Sequence, residues 1–231
     1  PAGISCPFAV ECKTTADRAW GTITDGADQI YRCYAASDEA KSPQVRAARH
    51  WNFELLRKET EYEMVKRIQA SLPKKATIIR IHVSGDFFNQ KYFNAWASVA
   101  KLNPNILFYA YTKSLKYWLD YIDTNKGYLD HSLLPPNLKL TASWDGSNSK
   151  LIQHAELKYA KVVFSEEEAK NLNLEIDHDD SHAYGGDKSF ALMLHGTQPK
   201  GSMAAKAKNK LVASGVKHSY GRKTTTNKVR A

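Results

Sequence analysis

The feature that most restricts the fold is an alternation running through the middle and end of the chain. Short apolar, β-branched runs at residues 77–83, 106–111, 138–142, 160–164 and 190–194 read as strands. Between them, residues 89–102, 115–122 and 149–157 read as helices, and Ser165 caps a further helix that begins Glu166-Glu167-Glu168. Strand, helix, strand in that order specifies parallel neighbours, because a helix supplies the crossover that parallel strands need. The strand runs are continuously apolar, as expected where both faces of a sheet are covered. No Gly-x-Gly-x-x-Gly and no Walker-type loop occurs, so a nucleotide-binding doubly wound sheet has no phosphate cradle in its favour. The expected class is α/β: a partial or closed (β/α) TIM-like barrel with parallel strands.

Upstream of the alternation, residues as far as 29 read as loop. Ser42 can cap free amides, and Pro43 stands at the first helical position, where its missing N–H costs nothing. Val45, Ala48, Trp51, Leu55, Tyr62, Val65, Ile68 and Leu72 recur at helical spacing, which predicts one long amphipathic helix ending near Pro73. Arg46, Arg49, Arg57, Lys58 and Lys66 would form its solvated face. A chain of 231 residues can bury one substantial core. The expected organisation is a single barrel-like domain over residues 1–200, including an N-terminal loop at 1–41, followed by a basic C-terminal helix and tail at 201–231.

The net charge of +9 is unevenly placed. From Ser189 onward there are nine basic residues and no acidic one, so the remainder sums to zero. Such a segment can contact nucleic-acid phosphates without regard to sequence, or it can be a solvated helix and tail. No apolar run is long enough to span a membrane, and the N-terminus is not a signal peptide. The expected setting is a reduced cytoplasm, with no membrane partner.

All three cysteines, Cys6, Cys12 and Cys33, fall in the first part of the chain. They can be small buried hydrophobes. A Cys6–Cys12 disulfide needs an oxidising compartment. Structural zinc usually shows a close pair of cysteines, whereas here five and then twenty residues intervene. Soft ligands gathered at one end of a chain point to a metal cluster, and three sulfurs without an obvious fourth suit an iron–sulfur cluster, of the 4Fe–4S type, with one unusual or open iron. Asp86, His82, His195 and His182 are the candidates for the fourth position. In α/β barrels the working face lies beyond the carboxyl ends of the strands. Here those ends carry Ser84-Gly85-Asp86, Thr112-Lys113, Ser143-Trp144-Asp145, Ser165 and His195-Gly196. Ser84, Gly85, Asp86, Lys113 and Asp145 are therefore the candidate ligand-binding set, although Ser, Gly and Asp also simply begin turns. The loop from Asp177 to His182 could hold a second metal, or be an acidic surface loop.

Two stretches carry a resemblance. Ser5-Cys6-Pro7-x-Ala9-x-x-Cys12, Cys33-Tyr34-Ala35 and Arg46-x-x-Arg49-x-x-Asn52 form the first. The second is His82-Val83-Ser84-Gly85-Asp86-Phe87-Phe88, followed by Tyr92, Ala95-Trp96 and Ala110-Tyr111-Thr112-Lys113-Ser114. Over residues 3 to 145 the chain resembles the phage-encoded gene product 88 family, which implies a phage protein working in the infected cell's cytoplasm. Members of that family often carry further cysteines near the C-terminus, and this chain has none there. More distantly, the strand-end turns Ser84-Gly85-Asp86 and Ser143-Trp144-Asp145-Gly146 resemble those of radical S-adenosylmethionine enzymes. That likeness implies a cluster-binding partial barrel, S-adenosylmethionine as a candidate ligand and a redox partner, although the spacing C-x5-C-x20-C is not that family's C-x3-C-x2-C. Two expectations from different classes result. One is an iron–sulfur barrel protein with redox or radical-type activity. The other is a nucleic-acid-binding protein with a structural metal.

Overall fold

The computed structural model describes residues 1–124 and 128–216. A two-stranded antiparallel ribbon, β1 (Thr14–Ala16) and β2 (Ile23–Asp25), comes first and is followed by helices α1 (Tyr34–Lys41), α2 (Pro43–Leu56) and α3 (Glu61–Ser71). The alternating part then runs β3 (Ile78–Ile81), α4 (Gln90–Leu102), β4 (Leu107–Thr112), α5 (Leu115–Ile122), a short 3-10 turn, β5 (Leu138–Ser143), α6 (Lys150–His154) and β6 (Tyr159–Val163). It ends with α7 (Glu166–Asn171), β7 (Glu175–Asp177), α8 (Ser181–Tyr184), β8 (Phe190–Met193) and α9 (Met203–Ala213). Six strands pair in the order β3-β4-β5-β6-β8-β7, every pair parallel. The sheet curls into a half-barrel. Among the described residues its two edge strands do not pair with each other, so the partial form of the expected barrel is present and the closed one is not.

The main core lies between this sheet and its crossover helices. Phe87, Phe93, Phe108, Leu115, Ile122 and Ile152 all sit there almost without solvent contact. The five strands read from the sequence are all present, within a residue or a few at each end. The sixth, β7, leads into the His/Asp-rich stretch expected to be loop from Asp177, overlapping it at that residue alone, and it occupies the sheet edge beside β8. At three residues it is too short to show an alternating pattern.

Helix α1 and the β1–β2 ribbon occupy ground expected to be loop, and the long helix is two helices. After Leu56 the chain turns, and Thr60 opens α3 with a capping box. Its side chain accepts from the Glu63 amide, while the Glu63 carboxylate accepts from the Thr60 amide. The apolar periodicity runs on across the break without marking one buried face. On α2 Ala48 and Trp51 are exposed and the buried residues are Arg46 and His50, whereas α3 buries Met64 and Ile68 and exposes Tyr62. The basic face also differs from expectation, since Arg46 is buried. Its Nε, Nη1 and Nη2 donate to the carbonyls of Arg18, Glu39 and Ala19.

The basic helix α9 is no appendage. Leu211 packs with Val163, Ala191 and Met193, Ala204 packs with Tyr31 and Leu194, and Lys208 donates to the Gly196 carbonyl. The rest of the basic helix and tail expected at 201–231, from residue 217 on, with Lys217, Arg222, Lys223, Lys228 and Arg230, lies outside the described residues. Replacing the cap, Thr60→Ala, should cost about 1 kcal/mol, read as a lower urea midpoint at unchanged slope.

Candidate functional site

Strands β3, β4 and β5 are adjacent and parallel, so the residues just beyond their carboxyl ends share one rim. Three of those residues are Asp86, Lys113 and Asp145, an anion, a cation and an anion. Asp86 anchors the row. Its Oδ1 accepts from Thr112 Oγ1 at 2.6 Å and from the Phe87 amide at 2.7 Å, and its Oδ2 accepts from the Lys113 amide at 2.7 Å. The Lys113 ammonium lies 3.2 Å from Asp145 Oδ1, with only 17% and 7% of the two side chains exposed. Tyr31 Oη donates to Asp145 Oδ2 at 2.5 Å.

The N-terminal segment is laid across this rim. The Asp86 amide donates to the Ser5 carbonyl and the Glu11 amide to the Asp145 carbonyl, while Ala9 bridges to Gly146. Gly85 permits the approach. Its φ is +88°, and a Cβ there would run into Ser5 Oγ. This docking brings all three cysteines to the lysine. Each is partly buried and free of disulfide. Cys12 hydrogen-bonds Asp145, both Cys6 and Cys12 feel the charge of Cys33, and Lys113 acts on all three.

The electrostatics follow from burial opposed by these neighbours. Loss of water pushes the Cys6 thiol up to about 12, with the charges of Asp86 and Cys33 adding to it. Burial likewise raises Cys12 well above its ordinary value. It also raises Cys33, against the pull of the Ala35 and Ala36 amides at the start of α1. Burial alone would lower Lys113, but Asp145, Cys12, Asp86 and Cys6 together outweigh it and hold the ammonium protonated. The two carboxylates are driven apart. Burial raises Asp86, whereas at Asp145 the burial penalty is overcome by Lys113 and the Tyr31 hydroxyl, and its pKa is lowered.

Beside the row opens a cavity of about 440 Å³. Cys12, Cys33, Lys113 and Asp145 line it, together with Tyr34, Arg80, Tyr111, Asp180 and His195. Of the four candidates for a fourth ligand, two come near the cysteines. Asp86 acts directly on Cys6, and His195 shares the cavity with Cys12 and Cys33. His82 instead lines a separate cavity of about 340 Å³ and contacts the Tyr92 hydroxyl, and burial drives its pKa down to about 3. His182 faces Glu175 and Asp177. Ser84 donates to the buried carboxylate of Glu39, which also pairs with Arg49 at 3.0 Å, so Ser84 and Gly85 seat the N-terminal segment.

Among the described residues, no group of three or more His, Cys, Asp or Glu side chains is disposed to hold a metal ion, in the cysteine region or in the acidic loop. The donor types at the rim suit a soft metal, but their side chains do not close on one point. Arg80 was not among the candidate residues of the sequence, and Tyr34, Tyr111 and Asp180 entered there only within the two resembling stretches and the acidic loop. The available signal was Arg80 itself, a cation inside the apolar run Ile78-Ile79-Arg80-Ile81, which a covered strand tolerates only with a partner.

Lys113→Met should lose about 3 kcal/mol of stability by urea titration, because it strands Asp145 without its cation. The raised Cys6 pKa fixes a second outcome. Between about pH 9 and about pH 12 the folded chain keeps a proton that the unfolded chain has lost, so the stability of metal-free protein falls as pH rises through that window. The raised Tyr31 and Lys113 act in the same sense. Urea midpoints across this range should decline, and Cys6→Ala should flatten the decline.

Comparison with known proteins places the chain. The gene 88 protein of Mycobacterium phage L5 is 32% identical over 143 residues, which cover 57% of this chain and 55% of the relative. That of Mycobacterium phage D29 is 30% identical over 152 residues, 60% of each. The chain thus spans little more than half the length of these relatives. No solved structure matches it. No helix among the described residues is long and apolar enough to cross a membrane. The sequence profile of the family described as Gene product 88 matches residues 1–215, and the chain belongs to that family.

Proposed function

We propose that this protein is a phage iron–sulfur protein in which Cys6, Cys12 and Cys33 ligate a cluster of the 4Fe–4S type at the mouth of the half-barrel. The neighbouring cavity is then the place where a small substrate meets the cluster. The observation that carries the reading is a largely buried lysine, held protonated, within electrostatic reach of three otherwise neutral thiols. A cluster needs its cysteines as thiolates, and a fixed ammonium offsets the negative charge that ligation brings into a site poor in water. Asp145 pairs with that ammonium and the charge of Asp86 adds to the hold. Asp86 and His195, the two that come near the cysteines, are the candidates for a fourth position. When bound, the cluster would supply one-electron transfer, which requires a redox partner. The half-barrel and its strand-end turns keep S-adenosylmethionine as a candidate ligand of the cavity. The setting is the cytoplasm of the infected cell.

The test is anaerobic purification followed by iron and acid-labile sulfide analysis and an absorption spectrum. Bound iron and sulfide with a band near ~400 nm is the expected result, reduced in each single Cys→Ala variant. A colourless preparation free of iron, from a chain that is folded by circular dichroism, would eliminate the cluster. Perturbation of the reduced cluster's EPR signal by S-adenosylmethionine decides whether it is a ligand.

A second reading is nucleic-acid binding through the C-terminal basic segment, with the metal purely structural. It is favoured by the exposed Lys200, Lys206 and Lys210 on and before α9. It requires affinity for DNA or RNA that falls steeply with salt and is lost when the residues after Gly201 are removed.

A further inference from the structure

Resting on the reading of the cavity as a working site, we infer that Arg80 makes its inner end an oxyanion-binding subsite. Its ligand is a small organic molecule with an apolar body and a carboxylate or phosphate-ester head. Arg80 is held from several sides. Its Nη1 lies 2.8 Å from Asp180 Oδ2, its Nη2 lies 3.4 Å from the Tyr34 hydroxyl, and its guanidinium stacks 5.1 Å from the Tyr111 ring centroid. Asp180 is itself saturated by the hydroxyls of Tyr109 at 3.0 Å and Tyr111 at 2.9 Å. Its charge is therefore shared among three donors and is not open to a ligand cation.

A guanidinium carries five N–H donors in a planar fork. Two of them meet the partners above, which leaves one N–H on each terminal nitrogen for a ligand, while Nε is sealed from solvent and is out of a ligand's reach. Even so, 30% of the side chain faces open space. An arginine that is oriented, aromatically stacked and left with spare donors is built for bidentate recognition of an oxyanion.

The rest of the cavity sets the ligand's body. Val162, Leu192 and Leu194 line it as an apolar wall. Arg80 pairs in register with Tyr109, which stands about 13 Å of strand before Lys113. A ligand anchored on Arg80 thus extends along the wall toward the cysteine and lysine rim. A volume of about 440 Å³ suits a molecule of fragment size.

The probes are phenylacetate, phenyl phosphate and benzyl alcohol, which share a ring and differ in the head group. They are titrated calorimetrically into the chain as purified, with iron measured on the same samples. At least one anion should bind saturably, with the alcohol weaker by about tenfold or more, and the two anion arms distinguish carboxylate from phosphate ester. Arg80→Lys keeps the charge but loses the fork, and should weaken the anion by about tenfold. In the wild-type chain the same anion should slow labelling of Arg80 by phenylglyoxal, followed by mass spectrometry, a readout that does not depend on the variant folding.

Alcohol binding equal to the anions, no binding of either anion, unchanged affinity in Arg80→Lys or unprotected Arg80 would each overturn the subsite. Anion binding by samples free of iron leaves the subsite standing and removes the cluster. Iron-loaded samples indifferent to both anions do the reverse.

Discussion

Everything at the mouth of this half-barrel depends on one row of charges, Asp86, Lys113 and Asp145, set side by side by three parallel strands. A largely buried ammonium is unfavourable alone, and so is each carboxylate. At adjacent strand ends the ammonium pairs with Asp145, while Asp86 takes the Lys113 backbone amide and the Thr112 hydroxyl, so that each buried charge has partners. The row also gives the N-terminal segment something to dock against, through the main chain on either side of it. Without the lysine, the carboxylates would repel one another and would disfavour the ionised thiols that the proposed function requires.

A second buried charge group holds the other side of that segment. Glu39 receives Arg49, Ser84 and the Ala2 amide, and Arg46 clamps three carbonyls from the β1–β2 ribbon and α1. Lys113 and Asp145 of the first group line the same cavity as Arg80, whereas Glu39 and Arg46 stand outside it and act through α1, whose first residue is Tyr34. Tyr34 comes directly after Cys33, and its hydroxyl reaches the Val83 carbonyl just beyond β3. The cysteine loop, the tyrosine and the arginine are thus connected through short, saturated polar contacts. Such an arrangement favours a site that is formed before any ligand arrives.

Much of the frame was legible in the residues. Apolar β-branched runs announced strands because a covered strand has no polar face to show. Caps at Ser42 and Ser165 announced helices, and each side chain does accept from a backbone amide near the start of its helix. What escaped were short elements and local stops. β7 is too brief for a period, and the Thr60–Glu63 box was hidden beneath an apolar stripe that two helices happen to continue. Arg46 and Arg49 looked like solvated charges because their partners, Glu39 and distant carbonyls, are not helical neighbours. Of the residues singled out at strand ends, Asp86, Lys113 and Asp145 do gather. Ser84 and Gly85 turn inward to seat the N-terminal segment.

The sequence by itself determined the α/β class, the parallel order and the membership of Cys6, Cys12 and Cys33 in one N-terminal region, since these come from periodicity and composition along the chain. Only the tertiary structure decided which charges meet. Asp86 and Lys113 lie 27 residues apart, Tyr31 and Asp145 lie 114 apart, and Arg80 and Asp180 lie 100 apart. No local rule couples positions so distant. Strand adjacency and the curl of the sheet bring them together, because burying the apolar faces leaves the polar strand ends one shared rim on which to neutralise each other.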